Sequence, residues 1–198
     1  MLSGPATLEE QLGILKPIKE AIDLNLSELR FAYSQGSLGM VAWLARNLLE
    51  LAIWSEYCAT SKENAKEFLL DTARDAHDAV DIPDGPWLKS SLEPTRQLLL
   101  SNASADGFDI EQEYARVSRI AKSLGRGDIF KHFNKTLSKY AHPTALAVFS
   151  DRDTREALRE TFYKMGINSA DSGLRFLNEA GKRIRAQIQS ETDDSCGT

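Results

Sequence analysis

Three polar side chains lie in the middle of an apolar stretch of the sequence between 38 and 59. They are Arg46, Asn47 and Glu50. In a helix, Arg46 and Glu50 are one turn apart, so their side chains can form an ion pair. An ion pair that is removed from water costs more free energy than its attraction returns, unless other polar groups surround it. The pair therefore needs an explanation.

Two explanations of this pair remain open. In the first, the pair determines how the helix packs, and neighbouring helices supply its remaining hydrogen bonds. In the second, it belongs to a binding pocket, because Trp43, Trp54 and Tyr57 recur on one stripe of the same helix and can surround a flat or cationic group. Glu50 or Arg46 would then orient the ligand.

Basic residues are concentrated between 116 and 139. This stretch contains seven of the 24 basic residues and a single acid, Asp128, although the whole chain has 29 acidic residues and a net charge of −5. Lys131, Lys135 and Lys139 recur every four residues and so share one face of a helix. This basic face indicates an anionic partner such as RNA, or contact with an acidic surface of the same fold or of a second copy.

Arg126 and His132 are candidate catalytic residues. Five residues separate them, a spacing that resembles the Arg-x4-6-His motif of the helical HEPN ribonucleases. In that family the arginine supplies a cation for the scissile phosphate and the histidine transfers a proton. The family has a polar residue after the arginine, whereas this chain has Gly127. The motif makes metal-independent RNA cleavage an alternative function.

The chain lacks the sequence motifs of common metal and nucleotide sites. There is no Cys-x-x-Cys, His-Glu-x-x-His or Glu-x-x-His, and no glycine-rich phosphate loop. We therefore expect no metal and no cofactor. Two cysteines cannot form a disulfide framework, the start of the chain does not resemble a secretory signal, and charges interrupt the apolar stretch. These features predict a cytoplasmic protein that does not interact with a membrane.

The elements that must position these residues are helices. Thr7 and Glu10 form a capping box at the start of the first helix, which Gly36 ends, and Pro17 kinks or divides it. The spacing of apolar residues predicts further helices over 38–59, 61–80, 87–102, 109–124, 128–141, 144–150, 154–165 and 167–188, with a loop over 103–108.

No stretch alternates as a strand would, so the sequence predicts an all-α fold. Short links between helices favour an antiparallel bundle of about seven helices, with a single domain over 1–188 and a polar, disordered tail over 189–198. The apolar stripes of the first and last helices either close this bundle or form the seam of a homodimer, and both remain open.

Two separated motifs resemble those of a known family. The run 46–50 (Arg-Asn-Leu-Leu-Glu) is followed about ninety residues later by 137–144 (Leu-Ser-Lys-Tyr-Ala-His-Pro-Thr). The combination resembles a family of uncharacterised all-helical bacterial proteins, described only as domains of unknown function. The resemblance covers roughly 46 to 149 and implies a bundle in which Arg46, Glu50, Tyr140 and His142 converge. It implies no activity, and a link to the HEPN superfold is an analogy of helical architecture.

The sequence thus predicts a non-catalytic binding or interaction protein, expected to form a homo-oligomer. The predicted ligand-binding residues are Arg46, Asn47, Glu50, Tyr140 and His142, and the predicted basic face is Lys131, Lys135 and Lys139. The alternative is a HEPN-type metal-independent endoribonuclease. Its candidate catalytic residues are His142, His132 and Arg126.

Overall fold

A computed structural model describes residues 5–80, 94, 97 and 116–195, with the backbone alone over 72–80 and at 194 and 195. The described residues contain no strand, and the predicted all-α class is confirmed. Their helices are α1 (Leu8–Ser34), α2 (Leu38–Thr60), α3 (Lys62–Val80), α4 (Val117–Ser123), α5 (Gly127–Ala141), α6 (Ala145–Phe149) and α7 (Arg152–Ser195).

Helix α2 is the centre of the bundle. It contacts α1, α3, α4, α5 and α7, and Val41, Leu44 and Leu48 on it have no exposed surface. The predicted apolar helix over 38–59 therefore lies in the core. In the part of the chain that the structure describes, no helix combines the length and the apolar character needed to cross a membrane.

Helix α7 packs against α2 through residues that have little or no side chain. A Cβ atom added at Gly166 would lie 3.3 Å from the Cα atom of Ala45, and one added at Gly173 would lie 3.3 Å from the Cα atom of Ala52. Gly166 and Gly173 are seven residues apart on α7, as Ala45 and Ala52 are on α2, so the contacts recur every two helical turns. Because the residue numbers of the contacting positions increase in the same direction on both helices, α7 runs parallel to α2.

The prediction of two separate helices over 154–165 and 167–188, with a break at Gly166, is wrong. Helix α7 continues through it as one element of 44 residues. Gly166 is buried at the contact with α2, where the absence of a Cβ atom allows two backbones to approach. The bundle is accordingly not antiparallel throughout, since α1 and α5 run against α2 whereas α7 runs with it.

The apolar stripes of α1 and α7 close the bundle. Ile22 and Leu29 on α1 and Ile184 on α7 are fully buried, and all three belong to one cluster with α2. Of the two alternatives for these stripes, the structure therefore shows the first. The homodimer stays a prediction.

Several predicted helix ends can be compared with the structure. The capping box of Thr7 and Glu10 is present, and α1 continues without a break through Pro17. Gly36 has a φ of 71° and follows α1, as expected. The helix predicted from 109 is different, because Arg116 is extended and α4 begins at Val117. The predicted helix over 87–102, apart from 94 and 97, and the predicted loop over 103–108 lie outside the described residues, as do 109–115.

The predicted disordered tail over 189–198 also differs from the structure. Helix α7 extends to Ser195, and the amide of Gln189 donates a hydrogen bond to the Asp193 carboxylate at 3.0 Å. Side chains four residues apart face each other on a helix, and such polar pairs stabilise it. Residues 196–198 lie outside the described part.

We expect opposite effects from two glycine substitutions in the helices. In Gly166→Ala, the new methyl group would lie 2.6 Å from a Leu29 methyl group and 3.3 Å from Ala45, so unfolding free energy should fall by about 1–3 kcal/mol. In Gly13→Ala, no atom lies within 4 Å of the new methyl group. The higher helix propensity of alanine should therefore raise the free energy of unfolding by roughly 0.5–1 kcal/mol. Urea denaturation measures both. A Gly166→Ala protein as stable as the parent would contradict the close packing of α7.

Candidate functional site

A cavity of about 670 Å³ lies between α4 and α5. Two glycines in the intervening turn bring the helices together. Gly125 has a φ of 72°, a left-handed conformation that glycine adopts without strain. A Cβ atom at Gly127 would lie 3.2 Å from the Cα atom of Lys122. The polar residues that line the cavity are Ser118, Lys122, Asp128, Lys131, Asn134 and Lys135.

Apolar contacts hold this helix pair on α2. Ile120 and Ala121 of α4 and Phe130 of α5 are buried together with Ile53 of α2. The apolar sides of both short helices therefore face inward. Their lysines remain at the surface, where the cavity opens.

The charge of the cavity is positive. Lys122, Lys131 and Lys135 are exposed, and none of the ion pairs between described residues includes them. One carboxylate, that of Asp128, lines the same space. Unpaired ammonium groups that share a concave surface reinforce one another's field and attract anions. This cavity is suited to an anionic group.

The structure modifies the predicted basic face. Lys131 and Lys135 line the cavity as a pair, whereas Lys139 is exposed but does not line it. The third lysine that lines the cavity is Lys122 of α4. Sequence reasoning counted Lys122 in the basic stretch without assigning it to the site, because the approach of α4 to α5 depends on the turn between them.

The ion pair on α2 lies behind one wall of this cavity. Arg46 Nη2 is 2.9 Å from Glu50 Oε1, and Arg46 Nε donates to Asn134 Oδ1 at 2.7 Å. The side chains of Arg46 and Glu50 are 30% and 29% exposed. Because the amide oxygen of Asn134 accepts from Arg46, its Nδ2 group is left to donate hydrogen bonds elsewhere. These contacts support the explanation in which a neighbouring helix satisfies the pair.

The other predicted ligand-binding residues lie elsewhere. Asn47 donates to Asn25 on α1 at 3.3 Å. Tyr140 is 8% exposed, and its ring centre is 5.5 Å from that of Phe162. His142 is exposed, as the residue that follows the last turn of α5.

The structure does not bring the five predicted ligand-binding residues into one site. Helix α5 runs antiparallel to α2, so Tyr140 lies beside Gly39, about two helical turns from Arg46. Four cavities bounded by described residues have linings that do not include Arg46, Asn47, Glu50, Tyr140 or His142.

Two aromatic residues of α2, Trp54 and Tyr57, contact α3. The Trp54 ring lies 4.6 Å from the Phe68 ring of α3, and the Tyr57 hydroxyl donates to Glu67 of the same helix. Burial, together with this hydrogen bond, raises the pKa of the Tyr57 phenol. Trp43 is 41% exposed. Two of the three aromatic residues thus attach α3 to α2.

Of the candidate catalytic residues, Arg126 is in an ion pair with α2. The Arg126 guanidinium binds both carboxylate oxygens of Glu56, with Nη2 at 3.2 Å from Oε1, and its Cζ atom lies 5.8 Å from the centre of the Phe176 ring. His132 is exposed on α5. A carboxylate on α2 therefore already neutralises the candidate arginine.

A comparison of the chain with protein families, with curated proteins and with solved structures found no match. Functional inference therefore depends on the geometry of the molecule, and the family resemblance of the two motifs stays a prediction.

We expect the Glu50→Ala substitution to lower the free energy of unfolding by about 1–2 kcal/mol. It leaves Arg46, which is mostly buried, with the Asn134 amide but no carboxylate, while partial exposure to water limits the loss. Glu20→Ala is the matched control. It removes the glutamate of an exposed pair with Lys16 of the same spacing and should cost less than about 0.5 kcal/mol.

Guanidinium chloride denaturation of both variants gives the comparison. Equal, small effects would contradict a stabilising role for the contacts among Arg46, Glu50 and Asn134.

Proposed function

We propose that the protein is a non-catalytic binding protein that holds the phosphates of an RNA strand in the cavity between α4 and α5. The observation that carries this proposal is the convergence of Lys122, Lys131 and Lys135 without an ion-pair partner among the described residues. Phosphate contacts by lysine supply most of the affinity of sequence-independent nucleic-acid binding.

The neutral groups of the cavity support the same assignment. Asn134 is oriented by Arg46 so that its Nδ2 group is the available one, and the Ser118 hydroxyl can donate as well. Hydroxyl and amide donors are common ligands of phosphate oxygens and of sugars. The cavity volume of about 670 Å³ can accommodate a nucleotide unit and exceeds that of a single ion.

The geometry favours binding over cleavage. A HEPN-type mechanism needs a cation at the scissile phosphate and a proton-transfer group beside it. Arg126 is paired with Glu56 and packed near Phe176, whereas His132 is exposed on α5. Arg46 is held by Glu50 and Asn134, and Tyr140 and His142 lie farther along α5.

Binding to a fluorescein-labelled single-stranded RNA of mixed sequence, followed by anisotropy at increasing NaCl, tests the proposal. We expect affinity to fall as salt rises, because bound phosphates release counterions. Lys131→Gln and Lys135→Gln should each weaken binding severalfold at low salt. Each should also reduce the slope of log K against log salt concentration by about 0.7–1.

Lys16→Gln on α1 provides the control, since it removes the same charge from an exposed helix position outside this cavity. If the α5 variants bind like the Lys16 variant, the proposal is wrong. Incubation of the same RNA with protein and chelator should leave it intact. Cleavage that is lost in His132→Ala would establish the ribonuclease alternative instead.

A further inference from the structure

A second cavity, of about 390 Å³, lies where the turn between α1 and α2 meets the beginning of α7. Gly36 and Leu38 line it from the turn and from α2. Arginines at one-turn spacing line it from α7, together with one acid. The α7 residues are Arg152, Arg155, Glu156 and Arg159.

The guanidinium of Arg159 lies over an aromatic ring but has no hydrogen-bond or ion-pair partner among the described residues. Its Cζ atom lies 5.3 Å from the centre of the Tyr33 ring, and its Nε atom is buried without a hydrogen bond. No hydrogen bond or ion pair joins Arg159 to a residue in the described part of the chain. A buried donor that makes no hydrogen bond is rare in native proteins and costs free energy. An arginine that is held in this way requires an explanation.

The turn between α1 and α2 leaves room for this side chain. A Cβ atom at Gly36 would lie 2.9 Å from Arg159 Nη1, so any larger residue would meet the guanidinium. Gly36 also has a φ of 71°. The next residue, Ser37, precedes α2 without making a side-chain capping hydrogen bond. Backbone N–H groups at the start of α2 therefore add to the positive potential of the cavity.

Nearby carboxylates have other partners. Glu156 pairs with Arg152 at 3.2 Å, and both side chains are mostly exposed, at 53% and 88%. Glu160 accepts from the Tyr33 hydroxyl and lies 2.9 Å from Lys164 Nζ. These contacts hold the pKa of the Glu160 carboxyl below its usual range. Asp151 accepts hydrogen bonds from Thr154.

We propose that this cavity is a binding site for a phosphate group, with Arg155 and Arg159 as its principal ligands. Three guanidinium groups against one carboxylate leave an excess of two positive charges, which matches a phosphate dianion better than a carboxylate. The planar fork of a guanidinium group binds two phosphate oxygens at once. The site is separate from the α4–α5 cavity, and the proposal does not depend on RNA binding.

The phosphate group can belong to a small molecule or to a lipid headgroup. Ser150, which lines the cavity, directly follows α6. On that helix Leu146, Val148 and Phe149 are 54%, 60% and 85% exposed. Exposed apolar residues next to a phosphate site would contact the acyl region if the group were a headgroup. The experiment therefore needs an arm for each source.

Isothermal titration calorimetry with inorganic phosphate, at constant ionic strength, measures the first arm. We expect the wild-type protein to bind phosphate, and Arg155→Met and Arg159→Met each to raise the dissociation constant about tenfold or more. Methionine at 159 retains an apolar chain over Tyr33. Arg155 is exposed, so its replacement should leave the fold intact and keeps the proposal testable if the Arg159 variant fails to fold.

The matched control is Arg175→Met on the same helix. Arg175 is exposed, and its Cζ atom lies 5.4 Å from the centre of the Phe176 ring, much as Arg159 lies over Tyr33. Arg175 does not line the cavity. Its replacement should leave phosphate affinity unchanged. Lys135→Gln should leave it unchanged as well, so failure of the RNA proposal and failure of this one can be told apart.

Sedimentation with phosphatidylcholine vesicles, with and without phosphatidic acid, measures the second arm. Binding to phosphatidic acid that is lost in both Arg155→Met and Phe149→Ser would assign the phosphate to a lipid headgroup. Binding of inorganic phosphate without vesicle binding would assign it to a soluble compound. If neither probe binds, or if both bind the arginine variants as well as they bind the wild type, the proposal is wrong.

Discussion

The arrangement of the molecule depends on the close approach of α7 to α2. At Gly166 and Gly173 no side chain separates the two backbones, and the facing residues are Ala45 and Ala52. Side chains larger than these would push the helices apart and leave voids in a core that is otherwise closely packed. Helix α7 packs against one side of α2, and helices α1 and α5 pack against other sides of the same helix. A helix with charged residues thereby becomes the centre of the protein.

This central position explains which charges are satisfied and which remain available. Charged side chains of α2 meet polar groups of the segment that begins at 126, as in the contacts of Arg46 with Asn134 and of Glu56 with Arg126. Such partners are required, because an unpaired charge inside a protein is costly. The lysines on the outer side of the same segment are not buried, so they do not require a polar partner. They are exposed to water.

Arg159 is an exception to this pattern, because its guanidinium group has aromatic and glycine neighbours but no hydrogen-bond acceptor in the part of the chain that the structure describes. The two proposed sites therefore differ in physical character. The α4–α5 cavity has flexible, exposed lysines that suit a long polyanion. The cavity at the start of α7 has a half-buried guanidinium group, packed over Tyr33, that suits one compact anion.

The sequence by itself determined the features that depend on residues within one or two turns of each other. These include the helical class, the capping box of α1, the core position of α2 and the pairing of Arg46 with Glu50. Only the tertiary structure decided that Gly166 lies inside a helix, that Lys122 joins Lys131, and that Tyr140 lies away from Glu50. The position of Arg159 over the Tyr33 ring belongs with these. Each depends on the direction and register of packed helices, and contacts between residues far apart in the chain set both, which local periodicity does not encode.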